Sequence, residues 1–246
     1  CGGNQGACSE NNVDPILKFN PEGEILTSFG AGMFVWPHGI VIDDDDNLWI
    51  IDAGVIDGEK GNQIFKFSQD GEILIELGEP GIRGEGPGEL NEPSDLAIGP
   101  DGTLYIVDGH INPDSNRRIV HMTAEGEFIE AWGEKGYGPL QFEGPHGLAV
   151  DEQGNIYVGD RTNNRLQILY PDGSLQHQGV VLIKGERRTV LEPGKHLKCQ
   201  AVIDSLTPLG VQEECIAATA ACLMLRADDF DAIGGFDEDF AVVFND

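Results

Sequence analysis

Apolar and polar positions alternate in short runs along the first two thirds of the chain, and the runs recur with a period of about 50 residues. Residues 16–30 recur as residues 64–78 and 119–133, and a weaker copy begins at Leu166. Each copy has two apolar runs around a turn such as Asp70-Gly71, where glycine accepts the positive φ that a tight hairpin requires. The pattern therefore predicts one β-hairpin in each copy.

A second type of hairpin lies between these copies and begins each time at a proline. It starts at Pro37, Pro93 and Pro145 and ends at Asp52, Asp108 and Asp160. Turns at residues 100–102 and 153–154 divide it into two strands. Four strands per unit without helical periodicity indicate the blade of a β-propeller, and the units amount to roughly three and a half blades.

The repeated strand that ends in Asp, followed by residues 163–168, resembles the NHL repeat family. The resemblance implies a mainly β fold, an NHL β-propeller whose ring normally closes with six blades. An arc of about 3.5 four-stranded blades is incomplete, and it leaves an apolar flank and unpaired edge strands in water. We therefore expect the tail, another copy of the chain in a homo-oligomer, or further sequence to cover these edges.

The order and spacing of the motifs in residues 14–170 are similar to those of peptidyl-α-hydroxyglycine α-amidating lyase. That resemblance implies a zinc-dependent lyase that splits a C-terminal hydroxyglycine into a peptide amide and glyoxylate. It also implies zinc in the central channel, held by histidines of Pro-His motifs that match His38 and His146 here. The first residues of inner strands point into the channel, so imidazoles from separate blades can converge on one ion. The alternative is that both histidines only structure turns.

Two further residues have candidate roles through the same resemblance. Arg161 falls where the lyases place a substrate-binding arginine, and its alternative role is a surface ion pair. His110 stands in place of the catalytic tyrosine, where it can accept a proton or bind the metal, unless it is a plain loop residue. The structural calcium of the family implies a site that uses a carbonyl near Ile40.

The resemblance is incomplete in this chain. The third Pro-His motif and the upstream arginine of the lyases have no counterparts, so lyase activity in this chain alone is doubtful. The alternative is a noncatalytic propeller that binds a peptide, carbohydrate or other small ligand at its channel.

Charge and cysteine content narrow the class of partner and compartment. The net charge is −28, from 43 acidic against 15 basic residues, which repels phosphate backbones and excludes a nucleic-acid partner. Residues 43–46 are four aspartates that predict an exposed turn. No apolar run is long enough to span a membrane, and the five cysteines lack zinc-finger spacing. Cys1-Gly2-Gly3 resembles the start of a processed bacterial lipoprotein, which implies a lipid anchor and an extracytoplasmic location, either periplasmic, cell-surface or secreted.

The tail differs from the repeats. The blade pattern stops near Ser174, and residues 176–182, 221–226 and 234–238 resemble the acceptor-side part of a family 2 glycosyltransferase, which predicts a small α+β tail. The donor half is absent, so Asp237, Glu238 and Asp246 are either orphaned catalytic carboxylates or solvated acids. The predicted organisation is a linker at 1–13, blades at 14–173 and a glycosyltransferase-like segment at 174–246. We expect a chimaera or a misassembled gene joined at residues 170–173.

Overall fold

The computed structural model describes residues 12–56, 58–110, 112–163 and 165–184, and strands at 187–192, 195–198, 217–219 and 222–224. All regular elements in this part of the chain are β-strands. No helix among the described residues is long and apolar enough to cross a membrane.

Antiparallel sheets follow one another along the chain, and within each sheet the strands are neighbours in sequence order. The second blade consists of β3 (Pro37–Ile42), β4 (Leu48–Ile56), β5 (Lys60–Phe67) and β6 (Ile73–Leu77). The third consists of β7 (Pro93–Ile98), β8 (Leu104–Asp108), β9 (Arg118–Met122) and β10 (Phe128–Trp132). The fourth contains β13 (Pro145–Val150), β14 (Ile156–Asp160), β15 (Arg165–Leu169) and β16 (Leu175–Lys184).

Shorter elements flank these blades. The first unit is the hairpin of β1 (Ile16–Phe19) and β2 (Ile25–Phe29), while β11 (Glu134–Lys135) and β12 (Gln141–Phe142) form a parallel pair. Strands β17 (Arg187–Glu192) and β18 (Lys195–Lys198) extend the fourth sheet, and β19 (Ala217–Thr219) pairs with β20 (Cys222–Met224). The prediction of a mainly β, propeller-like fold with four-stranded blades is confirmed.

The fourth sheet continues past the predicted end of the blades. A turn closed by the hydrogen bond from Gly173 N–H to the Tyr170 carbonyl leads into β16, which pairs with β15. The boundary at 173/174 stays a prediction. Asp237, Glu238 and Asp246 lie outside the described residues, and so does most of the predicted α+β tail.

The blades pack face to face because successive residues of a strand point to opposite faces of its sheet. In β4, Trp49 and Ile51 pack against the third blade, whereas Ile50 packs against the first unit. In β8, Ile106 faces the second blade and Val107 faces the fourth. Strands buried on both faces explain why the inner strands are nearly continuous apolar runs.

The predicted turns adopt the expected geometry. Gly71 and Gly102 have φ of 85° and 83°, and their N–H groups close turns on the carbonyls of Ser68 and Gly99. The aspartate run at 43–46 is also a turn, in which Asp43 accepts hydrogen bonds from the N–H groups of Asp45 and Asn47. Local side-chain acceptors of this kind stabilise turns.

The side of the arc at its N-terminal end carries an apolar flank. Phe19 in β1 is 53% exposed and Ile25 in β2 is 59% exposed, and Ile40 and Ile42 in β3 are exposed to a similar extent. At the corresponding positions of the third blade, Leu96 and Met122 are 2% and 1% exposed because they pack against the second blade. The flank is where the arc lacks a neighbour among the described residues.

A buried aspartate at the end of each inner hairpin holds the loop that precedes its own blade. Asp52 accepts hydrogen bonds from the N–H groups of Val35 and Trp36 at 2.9 and 2.6 Å. Asp108 binds the N–H of Asn91, and Asp160 binds the N–H of Gly144. All three aspartates have no exposed surface, so each anchors a loop at the inner end of its blade.

An arginine compensates the charge of this aspartate in the third and fourth blades, whereas the cation that acts on Asp52 in the second blade is Lys60. Arg118 Nε lies 2.7 Å from Asp108, and Arg165 Nε lies 2.9 Å from Asp160. In the second blade, the residue paired with Asp52 is Gln63. Burial raises the pKa of the Asp52 carboxyl to about 6, against the lowering effect of its hydrogen bonds with backbone N–H groups.

Replacing Arg165 by Met is expected to lower the free energy of unfolding by about 3–5 kcal/mol, because it leaves Asp160 charged and buried without its partner. Lys135→Met is the matched control, since Lys135 is 53% exposed and forms a 3.8 Å ion pair with Glu143, which contributes less than about 1 kcal/mol. Urea unfolding of both variants measures the difference. Equal losses would contradict the anchoring role of the buried pair.

Candidate metal centre

Three imidazoles from three blades meet at the inner ends of the strands. His38 is the second residue of β3, His146 is the second residue of β13, and His110 follows the end of β8. Their ring centroids are 4.9 to 5.0 Å apart. One ring nitrogen of each lies within 4.8 Å of those of the other two. These three residues are called the histidine cluster below.

An irregularity at the start of each inner strand directs these side chains. The register of β3 with β4 shifts between Pro37 and Gly39, and the register of β13 with β14 shifts between Pro145 and Gly147. The shifted residue is the histidine in both blades. Bulges of this kind re-aim a side chain away from the pleat, so the Pro-His-Gly sequence delivers its imidazole to the centre.

The third blade has the same irregularity but carries Ser94 at the equivalent position. Its backbone carbonyl accepts a hydrogen bond from His38 Nδ1 at 2.8 Å. This bond places the proton of His38 on Nδ1 and leaves the lone pair on Nε2. A backbone carbonyl in this role fixes the ring orientation of a metal-binding histidine.

His110 supplies the third imidazole from the loop after β8. Its backbone N–H donates to Ser115 Oγ at 3.1 Å, and this bond holds the loop after β8 at the hub, the centre where the inner strands of the blades begin. Neither ring nitrogen of His110 has a hydrogen-bond partner among the described residues, and the same is true of His146 Nδ1. His110 is 3% exposed and His146 is 9% exposed. Buried nitrogens without partners are costly unless a ligand binds them.

The electrostatics keep the cluster neutral. Burial, followed by the charge on the neighbouring imidazoles and on Arg161, lowers the pKa of His110 to about 2 and that of His146 to about 3. Burial also lowers the pKa of His38, although the hydrogen bond to Ser94 acts in the opposite direction. Neutral imidazoles offer lone pairs, which is the form that binds metal ions.

The donor set fits a zinc ion. Three neutral imidazoles with a position left open for water or substrate are the ligands of a catalytic zinc site. Nitrogen ligands of this type suit Zn²⁺ better than Ca²⁺, which prefers oxygen. Ile40 lies in β3 two residues after His38, and the calcium site near its carbonyl stays a prediction.

Arg161 lies near the cluster. It directly follows β14, and its N–H donates to the Gly144 carbonyl at 2.9 Å. Its positive charge lowers the pKa of all three histidines. A cation beside neutral metal ligands favours an anionic group of a bound molecule.

The structure thus brings together all four residues singled out from the sequence. The sequence left three roles open for His110, namely proton acceptor, metal ligand or plain loop residue, and the structure places its ring beside those of His38 and His146. Its position two residues after Asp108, the last residue of an inner hairpin, was the available signal. Two neighbours of the cluster carried no signal in the sequence. Ser94 contacts His38 through its backbone carbonyl, and the Trp36 ring lies 5.0 and 5.1 Å from the rings of His38 and His110.

Comparison with known proteins agrees with this architecture. Residues 142–169 match the NHL repeat. The chain carries an NHL repeat and is homologous to segments of amidating lyases. It is 36% identical over 169 residues to the peptidyl-glycine alpha-amidating monooxygenase of Mus musculus, across 65% of this chain and 16% of that protein. It is 33% identical over 161 residues to a probable peptidyl-alpha-hydroxyglycine alpha-amidating lyase of Caenorhabditis elegans, across 63% and 43% of the two chains.

Another relative has a name that mentions the NHL repeat and no enzymatic activity. NHL repeat-containing protein 3 of Mus musculus is 31% identical over 167 residues, across 66% of this chain and 47% of that protein. The chain spans less than half the length of these curated relatives. A crystal structure of an inactive virginiamycin B lyase from Staphylococcus aureus with quinupristin matches with a TM-score of 0.52 and 17% identity, covering 78% and 65% of the two chains. At that identity the match shows the fold only.

The metal-free protein is expected to lose stability as the pH falls below about 6.5, the ordinary pKa of histidine. The folded state keeps His110 and His146 neutral down to pH values near 2 and 3, so the unfolded state binds more protons and each histidine contributes up to about 1.4 kcal/mol per pH unit. His110→Gln should reduce this slope by about one such contribution between pH 5 and 6.

Urea unfolding with chelator at several pH values measures that slope. Asp95, whose pKa burial raises to about 7, contributes stability that is full below about pH 3.9 and is lost as the pH rises through 7. The difference between variant and wild type cancels this opposing effect. An unchanged slope in His110→Gln would show that His110 titrates normally.

Proposed function

We propose that this chain is a zinc-binding propeller of the amidating-lyase type, with His38, His110 and His146 as the metal ligands. The observation that carries the proposal is the convergence of three neutral imidazoles, one half-buried and two buried, and the two buried ones have ring nitrogens without partners among the described residues. The homology to amidating-lyase segments gives the reaction class. It extends over part of each relative, so the activity is a matter for experiment.

The proposed substrate is a peptide that ends in α-hydroxyglycine. In the reaction the bond between the amide nitrogen and the hydroxylated carbon breaks, the nitrogen gains a proton, the hydroxyl loses one, and glyoxylate leaves. A zinc ion at the cluster would supply Lewis-acid polarisation of a bound oxygen.

The chain's own residues have separate tasks in this proposal. Ser94 fixes the His38 ring through its carbonyl, so the lone pair on Nε2 faces the cluster. His110, as a ligand, replaces the tyrosine of the lyases. Arg161 binds the terminal carboxylate, because it is the cation that acts on all three imidazoles.

Zinc binding is expected at one ion per chain, measured by elemental analysis and by competition with a chelator. His110→Gln and His146→Gln should each weaken zinc binding by more than about 100-fold, beyond the 10- to 100-fold effect of changing an outer-shell partner. His121→Gln is the control, since the His121 ring stacks on Tyr105 instead. A variant of the cluster that keeps wild-type zinc affinity would remove that residue from the site.

Glyoxylate release from an α-hydroxyglycine peptide tests the reaction. We expect Arg161→Gln to raise KM by about tenfold or more, the effect of losing a hydrogen bond between charged groups, while zinc content stays at wild-type level. Lys135→Gln controls for a general loss of positive charge.

Stoichiometric zinc with no glyoxylate would leave the alternative function, a noncatalytic propeller that binds ligands at its hub. The surroundings of the cluster favour an anionic ligand in that case too, because Arg161 lies beside it. No bound zinc and no effect of His38→Ala would overturn the zinc-dependent function and leave the noncatalytic propeller that binds a ligand.

A further inference from the structure

A pocket of about 430 Å³ lies beside the histidine cluster. Trp36 belongs to both, because it lines the pocket and its ring packs edge-on against His38 and His110. The pocket therefore begins about one ring width from the hub. One extended residue spans about 3.3–3.6 Å, so a ligand held at the hub by its last unit would place the preceding residue in the pocket.

A long loop builds one side of this pocket. The stretch between β8 and β9, which follows Asp108, is longer than the stretch between Asp160 and Arg165 in the fourth blade. It supplies Asn112, Pro113, Asp114 and Ser115 to the pocket wall.

The wall has an apolar side and a polar side. The apolar side comes from the second blade and the loop before it, namely Val35, Trp36, Ala53 and Val55. The polar side carries Arg83, Asn91, Glu92 and the residues of the long loop. This division suits a peptide unit, whose side chain is separate from its backbone N–H and C=O groups.

On the polar side, Glu92 has a carboxylate oxygen that lacks a hydrogen-bond partner among the described residues. Its side chain is 8% exposed, and Oε2 has no hydrogen-bond partner among the described residues. Glu92 lines the pocket, and Oε1 accepts a hydrogen bond from Asn112 Nδ2, which leaves Oε2 as the carboxylate oxygen without a partner. A buried carboxylate oxygen without a donor is unfavourable, so a donor from the ligand would be stabilising.

The charges around Glu92 indicate a neutral donor. Arg83 and Arg117 both act on Glu92 and lower its pKa, against the larger raising effect of burial. Arg117 is itself fixed by the carbonyls of Ser115 and Asn116. Because two guanidinium groups already balance the carboxylate, a further cation would face repulsion, whereas an amide N–H would not.

We propose that Glu92 is a specificity residue, which accepts a hydrogen bond from the backbone N–H of the residue that precedes the C-terminal unit of a bound peptide. The side chain of that residue packs on Val35, Trp36 and Val55, so apolar side chains are preferred there. This inference rests on the proposed function, because the hub must hold the end of the peptide.

The test compares two peptides on the full, zinc-loaded chain by calorimetry. One is acetyl-Phe-Gly, an unreactive analogue of the substrate, and the other carries an N-methyl group on the Phe nitrogen and lacks the N–H. In the wild type, N-methylation is expected to weaken binding about tenfold, the effect of losing a hydrogen bond to a charged acceptor. In Glu92→Gln, Asn112 Nδ2 would hold the amide oxygen at the position of Oε1, so an NH₂ donor replaces the acceptor Oε2. The two peptides should then bind equally, both about as weakly as the methylated peptide binds the wild type.

Glu76→Gln is the matched control, since Glu76 lies in β6 with its side chain exposed, and it should keep the tenfold difference. Replacing Phe by Lys or Glu in the peptide should weaken binding to all three proteins, because the apolar wall is unchanged. The wild-type comparison needs no folded variant, so it tests the inference even if Glu92→Gln unfolds.

The outcomes distinguish the proposed role of Glu92 in peptide binding from the proposed lyase activity. An equal penalty for N-methylation in wild type and Glu92→Gln, no penalty in either, or failure of both peptides to bind would overturn the role of Glu92. Glyoxylate release from the corresponding hydroxyglycine peptide is measured in parallel. Binding that depends on the N–H without glyoxylate release would support the pocket and contradict the catalytic function, and release without that dependence would do the reverse.

Discussion

The structure depends on burial of both faces of each blade between its neighbours. Side chains of one strand alternate between two interfaces, so Trp49 and Ile50, adjacent in sequence, stabilise contacts on opposite sides of the second blade. This packing fixes the angle between successive sheets and brings the starts of their inner strands to a common centre. The histidine cluster is possible only because that centre is shared by three blades.

Polar groups at the centre are then forced into a small, water-poor space. The buried aspartates at the ends of the inner hairpins tie down the loops, and the irregularity after each proline turns the next side chain inward. Imidazoles placed there lose solvation and repel each other's protons, which keeps them neutral. The same packing that stabilises the fold therefore prepares a set of nitrogen lone pairs.

The blades could be predicted from the sequence because their signals are local. Prolines at strand starts, Asp-Gly turns and apolar alternation recur at similar spacing, and recurrence raises the value of each weak signal. His38 and His146 shared a motif and could be found in the same way. His110 could not, because its direction depends on the Ser115 hydroxyl and on a loop without a counterpart in the fourth blade.

Groups whose role depends on tertiary contacts could not be predicted from the sequence either. The Ser94 carbonyl reaches His38 from another blade, and backbone acceptors carry no side-chain signature. Glu92 has a φ of 60° and an unpartnered oxygen only because the loops around it meet. The resemblance of residues 174–246 to a glycosyltransferase rests on short motifs, and the comparison with known proteins does not show this resemblance.

The absence of an arginine opposite Asp52 makes the second blade unlike the other two. Its aspartate bears the cost of burial without a guanidinium, yet it holds the backbone of Val35 and Trp36, which border both the hub and the adjoining pocket. The wall that a ligand would touch is therefore anchored by the least compensated of the three charges. Local opening should begin at this corner, and occupancy by a peptide would slow amide exchange there before it changed global unfolding.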